Sequence, residues 1–157
     1  CKYPPLGNRS VGGGMHSMNF DASAGDYFAR ANDEILVVLQ TESPRGVANA
    51  EEIYSLPGVD AIFVGPNDLF AQMRKIGGPE PTAAEHEALI QEVIRIGKKT
   101  GTPTGIHAMS PESALERAQQ GMQFLAIGSD LRLMTLKAEE TVAMVYPERG
   151  NRDLARY

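Results

Sequence analysis

Glu42 and Asp68 are the residues whose type and spacing point first to chemistry. Each acid closes an apolar, partly β-branched run, Glu42 after Ile35 to Thr41 and Asp68 after Ala61 to Asn67. Runs of that composition match strands buried on both faces of a parallel sheet, and the link between them is long enough for one crossover helix. Neighbouring parallel strands lie roughly 4.8 Å apart, so carboxylates at corresponding C-terminal ends can share one hard divalent cation. Ligands of α/β folds gather at that same edge. Two solvated loop acids are the competing reading, and the residue types alone leave both open. Gln40 lies two residues before Glu42, on the same side of the strand, where its amide can orient the carboxylate from behind. His107 ends a further strand-like run at the same rim, either as pocket wall or as a general base.

The elements that must position these residues recur as four strand-helix units. The first strand is expected over Ile35 to Gln40, followed by a helix that Ser43-Pro44 caps and starts and that ends near Leu56. Ala61 to Val64 forms the second strand, and beyond a loop at Gly77-Gly78 a long helix is predicted from about Thr82 to Lys99. Its Leu89, Ile90, Val93, Ile94 and Gly97 follow helical spacing, and Gly101 supplies a stop. The third unit pairs a strand over Thr104 to His107 with a helix over Pro111 to Gln120, bounded by Ser110 and Gly121. The fourth pairs Phe124 to Ile127 with a helix over Leu131 to Tyr146, through Gly128-Ser129-Asp130. Four successive βα units with short loops imply an α/β fold with a parallel sheet wound in one direction. A complete (β/α)8 TIM barrel takes eight such units and about 250 residues, so the expectation is a partial barrel.

Residues 1 to 34 read as a loop with a short helix over Asp26 to Asn32, residues 35 to 146 as the four units, and residues 147 to 157 as a tail. Gly12-Gly13-Gly14 is no phosphate cradle, because no strand precedes it and no Gly-Lys-Ser/Thr follows. The chain has 157 residues, 42% of them hydrophobic, enough for one core. A net charge of −5 argues against nucleic acid or an anionic membrane as partner and favours a small molecule. Cys1 is the only cysteine, which fits a reducing, cytoplasmic setting, and the longest apolar run is far too short to span a bilayer. The opening Cys1, rather than Met, leads to the expectation of a fragment or a processed product.

Four short motifs in order, Tyr3-Pro4-Pro5-x-Gly7-x-Arg9-x-x-Gly12, Gln40-x-Glu42, Pro57-Gly58-Val59-Asp60 and Gly65-Pro66-x-Asp68-Leu69, resemble the HpcH/HpaI aldolase and citrate lyase family of metal-dependent pyruvate aldolases. The resemblance implies that the four units are the fifth to eighth of a TIM barrel of the phosphoenolpyruvate/pyruvate type. It implies Glu42 and Asp68 as ligands of Mg²⁺, Mn²⁺ or Co²⁺, with waters and substrate completing the shell. It also implies that the loop Gly65, Pro66, Asn67 and Asp68 offers backbone N–H groups to a 2-oxo acid carboxylate; Pro66 has none, so Asn67 and Asp68 are the donors. The implied reaction is retro-aldol cleavage of a 4-hydroxy-2-oxo acid to pyruvate and an aldehyde. The family's catalytic histidine base and ketone-binding arginine belong to the first half of the barrel, outside these residues. A homo-oligomer is expected from the apolar positions of the last helix, Leu131, Met134, Leu136, Val142 and Val145. Two other readings stand beside the aldolase: a non-catalytic half barrel that pairs with another chain, and a CoA-thioester lyase of the citrate lyase type. Arg9 is read as shaping the barrel mouth, Asp130 as a loop-capping acid, and His16 and His86 as solvated.

Overall fold

The computed structural model describes residues 1–12 and 15–147. The N-terminal segment leads through a short helix, α1 (Met15–Met18), to α2 (Ala24–Glu34), whose first turn is capped by Ser23 accepting from the Asp26 N–H. Gly13, Gly14 and the tail from residue 148 lie outside the described residues. Then come four parallel strands, β1 (Val38–Thr41), β2 (Ala61–Val64), β3 (Thr104–Ala108) and β4 (Phe124–Ile127), ordered β1-β2-β3-β4 as in the sequence. That order is what right-handed βα units wound in one direction produce.

The strand expected from Ile35 starts three residues later. Ile35 is instead the C-cap of α2, its N–H bonded to the Ala31 carbonyl, and Leu36 is exposed. The chain reaches strand geometry only after Val37, whose N–H donates to the Asp60 carboxylate at 2.6 Å. The single helix expected after β1 is two short ones, α3 (Pro44–Ala48) and α4 (Ala50–Tyr54), broken at Asn49. A further helix, α5 (Pro66–Gln72), occupies a stretch read as loop. Its start follows the same rule as the others: Gly65 is the extended N-cap and Pro66 the first helical residue.

The long helix α6 (Ala83–Thr100) carries a capping box between Thr82 and Glu85 and ends on Gly101 at φ 76°. Helix α7 (Pro111–Gln120) is capped by Ser110 and ends on Gly121, and α8 (Asp130–Val145) is capped by Ser129. Val47, Ala50, Tyr54, Ile62, Val64, Leu69, Ile90, Val93, Ile94, Ile106 and Met122 form one core between the helices and one face of the sheet. A buried polar chain ties it together: the Tyr54 hydroxyl donates to Thr41 Oγ1 at 3.1 Å, and the Thr102 hydroxyl donates to the Tyr54 carbonyl at 2.8 Å.

The other face of the sheet is open. Val38, Gln40, Phe63, Phe124 and Ala126 line a shallow depression of about 330 Å³ on it. Among the described residues no helix is long and apolar enough to cross a membrane.

Candidate functional site

Register builds the site layer by layer on that open face. Gln40 stands beside Phe63, Phe63 beside Gly105, and Gly105 beside Phe124. Phe63 and Phe124 close over the glycine between them, ring centroids 5.3 Å apart at 60°. A Cβ on Gly105 would fall 2.0 Å from the Phe124 carbonyl oxygen, so only glycine fits there. Two residues further along, the next layer toward the C-terminal edge holds Glu42, Gly65, His107 and Ala126, the last two paired directly.

Gly65 is the floor of the acidic corner. A Cβ there would lie 2.7 Å from Glu42 Oε2, 3.1 Å from Gln40 Nε2 and 3.3 Å from Glu42 Cβ. The missing side chain therefore makes the space into which the Glu42 carboxylate turns, with the Gln40 amide behind it. The sequence placed Gln40 and Glu42 on one side, and the structure puts both against the same atom position. An isolated glycine closing an apolar strand was a readable sign of such a close approach.

Asp68 is not at a strand end, as expected, but in the first turn of α5, immediately beyond β2. An acid there complements the helix dipole, which is the structural alternative to a ligand role. Among the described residues neither the Glu42 nor the Asp68 carboxylate has an ion-pair partner or a hydrogen-bond donor. In α5 the Leu69 N–H bonds to the Gly65 carbonyl, and Pro66 has no N–H, so Asn67 and Asp68 hold the first-turn N–H groups that lack helical acceptors.

His107 is half-buried on the same face, one ring nitrogen 3.0 Å from the Gly128 carbonyl, which accepts from it in the tautomer protonated there. That bond fixes the ring as a wall between β3 and the β4–α8 loop. Arg9 is set over the Tyr3 ring at 4.7 Å, a packing contact in the N-terminal segment. The Asp130 carboxylate accepts from the Leu131 N–H at 2.7 Å, as a loop-capping acid does. His86 is partly buried and stacks edge-on against Phe70 at 5.4 Å, so the solvated imidazole expected there is corrected. No cluster of three or more His, Cys, Asp or Glu side chains occurs among the described residues. Glu42 and Asp68 are the two carboxylates near this edge that could hold a cation, with water and substrate oxygens filling the rest of the shell. Hard ions of the Mg²⁺ type are commonly bound in that way.

A family model described as HpcH/HpaI aldolase/citrate lyase matches residues 1–136. Among curated proteins the chain is 42% identical over 142 residues to a hydroxypyruvate/pyruvate aldolase of Chromohalobacter salexigens, covering 90% of this chain and 55% of that one. It is 39% identical over 130 residues to a 5-keto-4-deoxy-D-glucarate aldolase of Klebsiella pneumoniae, covering 83% and 50%. Among solved structures, an HpcH/HpaI aldolase/citrate lyase family protein from Burkholderia cenocepacia superposes with a TM-score of 0.77 at 30% identity, over 92% of this chain and 56% of that one. The chain thus spans about half the length of the relatives it matches.

Proposed function

We propose, from the premise that this chain belongs to the HpcH/HpaI aldolase/citrate lyase family, that it carries the metal half of a carbon–carbon lyase that cleaves a 4-hydroxy-2-oxo acid to pyruvate and an aldehyde. The four βα units are then the second half of a (β/α)8 barrel, a reading supported by the parallel order of the sheet and by the half-length match to family structures. The observation that carries the reaction is the Glu42 carboxylate turned over Gly65 beside Gln40, partnerless at the C-terminal edge.

The donor set fits a divalent ion such as Mg²⁺, Mn²⁺ or Co²⁺: two hard carboxylates and an approach kept clear by a glycine. When bound, such an ion supplies Lewis-acid stabilisation of the negative charge that develops on the 2-oxo acid as the carbon–carbon bond breaks. The chain's own residues prepare that charge site. Glu42 and Asp68 hold the ion, and Gln40 orients the Glu42 carboxylate. The Asn67 and Asp68 N–H groups meet the substrate carboxylate, and His107, tied to Gly128, walls the pocket. None of these groups removes the proton from the 4-hydroxyl, so the base comes from outside the residues seen here. Acids rather than cations close the first two units at this edge, which favours metal chemistry over a CoA-binding lyase that needs cations for the nucleotide phosphates.

The test is made on the full-length protein. Chelator should abolish pyruvate release and added Mg²⁺, Mn²⁺ or Co²⁺ restore it, while Glu42→Gln and Asp68→Asn each weaken Mn²⁺ binding about 10-fold or more in calorimetry. Unchanged turnover of either variant in the presence of chelator would end the assignment.

A further inference from the structure

Glu42 is held by its chain neighbours before any ligand reaches it. Thr41, the last residue of β1, is buried and turns to the helix side of the sheet, while Gln40 and Glu42 turn to the open side. Its methyl group packs where α3 begins: Thr41 Cγ2 lies 3.6 Å from the position of a Cβ on Gly46. Ser43, on the other side of Glu42, caps that helix by accepting from the Gly46 N–H at 3.0 Å. Glu42 is thus a single residue between two anchored ones.

The Thr41 anchor reaches beyond its own strand. Its hydroxyl oxygen accepts from the Tyr54 hydroxyl at the end of α4, 3.1 Å away, and the Tyr54 carbonyl accepts in turn from the Thr102 hydroxyl that precedes β3, at 2.8 Å. Tyr54 is 2% exposed, among aliphatic core side chains such as Val47, Ile62 and Val64. A phenylalanine would fill the same space with no hydroxyl to desolvate, and a buried neutral hydrogen bond adds little net stability. What the bond supplies is direction. It holds the end of β1 at one rotation, and the rotation of a strand residue sets where the next side chain points.

We propose that Tyr54 is a positioning residue for the metal site: by holding Thr41 it fixes the direction in which the Glu42 carboxylate turns over Gly65. This rests on the metal reading of Glu42 and Asp68 above. The clearance over Gly65 is narrow, with Glu42 Oε2 2.7 Å and Gln40 Nε2 3.1 Å from the position of a Cβ there, so a small rotation of the strand end moves the carboxylate out of the corner. Tyr54 lies on the helix side of the sheet and acts on the ion only through Thr41.

The experiment reads metal binding, so that it does not depend on turnover. Mn²⁺ is titrated calorimetrically into the full-length protein, unsubstituted and as Tyr54→Phe, Thr41→Val, Thr41→Ser, Glu42→Gln and the double variant of Tyr54→Phe with Glu42→Gln. Tyr54→Phe and Thr41→Val should each weaken Mn²⁺ about 10-fold, and Thr41→Ser, which keeps the hydroxyl, should stay within about twofold of the unsubstituted protein. In the Glu42→Gln background Tyr54→Phe should cost no further affinity, because the carboxylate it directs is gone, whereas a merely structural loss would add in both backgrounds. Urea midpoints of the same variants separate lost stability from lost affinity. Affinity within about twofold for Tyr54→Phe or Thr41→Val, or a Tyr54→Phe loss that persists in Glu42→Gln, overturns the proposal and leaves the metal reading standing. Affinity that Glu42→Gln does not change refutes the metal reading and the proposal with it. Mn²⁺ binding that depends on Glu42 and Tyr54 as expected, without any aldol turnover, refutes the reaction and leaves the positioning role intact.

Discussion

At the scale of single residues, the acidic corner turns on what is absent at position 65. Gly65→Ala places a methyl group 2.7 Å from Glu42 Oε2 and 3.3 Å from Glu42 Cβ, so the carboxylate must swing away. Gly65 is the extended N-cap of α5, at φ −90°, a backbone any residue adopts. The substitution should therefore leave the backbone intact and cost the site: Mn²⁺ affinity about 10- to 100-fold lower in calorimetry, as for loss of an orienting neighbour. Unaltered affinity would show that the Glu42 carboxylate does not need this space. The sequence named Glu42 and Asp68 from their places after strand-like runs and Gln40 from strand phase, while the contact of Gly65 with Glu42 and Gln40 comes from the structure.

Between elements, two contacts decide how the sheet and its outer helices sit. Glu87 of α6 and Arg117 of α7 pair at 2.6 Å through both guanidinium nitrogens, with the arginine side chain 12% exposed and the glutamate 41%. The Arg117 hydrogen bonds hold the Glu87 carboxyl below its ordinary value of 4.5. A carboxyl lowered on folding gives stability that is complete above 4.5 and fades as the pH falls through its folded value. The Tm gap between the unsubstituted protein and Glu87→Gln should thus be constant near neutrality and close progressively below pH 4.5. So exposed a pair contributes about 1 kcal/mol or less. A gap that widens on acidification would contradict the pairing. Gly105 has the opposite character, because its obstacle is backbone: Gly105→Ala meets the Phe124 carbonyl at 2.0 Å and Phe124 Cβ at 2.7 Å. Strands β3 and β4 must separate to admit it, at a cost of about 1–3 kcal/mol, read as a lowered midpoint in urea.

For the whole molecule, the question is what the open surfaces do. Among the described residues both outer strands, β1 and β4, lack a partner on one edge, and Phe124 and Ile127 are 44% and 47% exposed. No residue of α8 is buried, although Leu131, Leu133, Met134, Leu136, Val142 and Met144 all lie on it. Unpaired edges and apolar surface of that extent favour association. Residues 1 to 157 expressed alone should therefore sediment as dimers or larger species and release pyruvate only slightly above the free-metal rate. A monodisperse monomer with turnover near that of the long relatives would show that these surfaces need no cover.

The sequence by itself determined the four units, their parallel order and most helix caps. Those features depend on local rules: the apolar period, Ser-Pro starts, glycine stops and the phase of a strand. It misjudged the start of β1, because Ile35 and Leu36 are apolar yet serve to end α2, a use that only chain packing around Asp60 and Val37 reveals. It missed α5, a helix too short for a periodic signal. Only the tertiary structure decided that Glu42, Gln40 and Gly65 share one corner and that His107 is tied to Gly128. Each of those facts joins residues from different units, and side-chain direction across a sheet is fixed by register and packing rather than by local propensity.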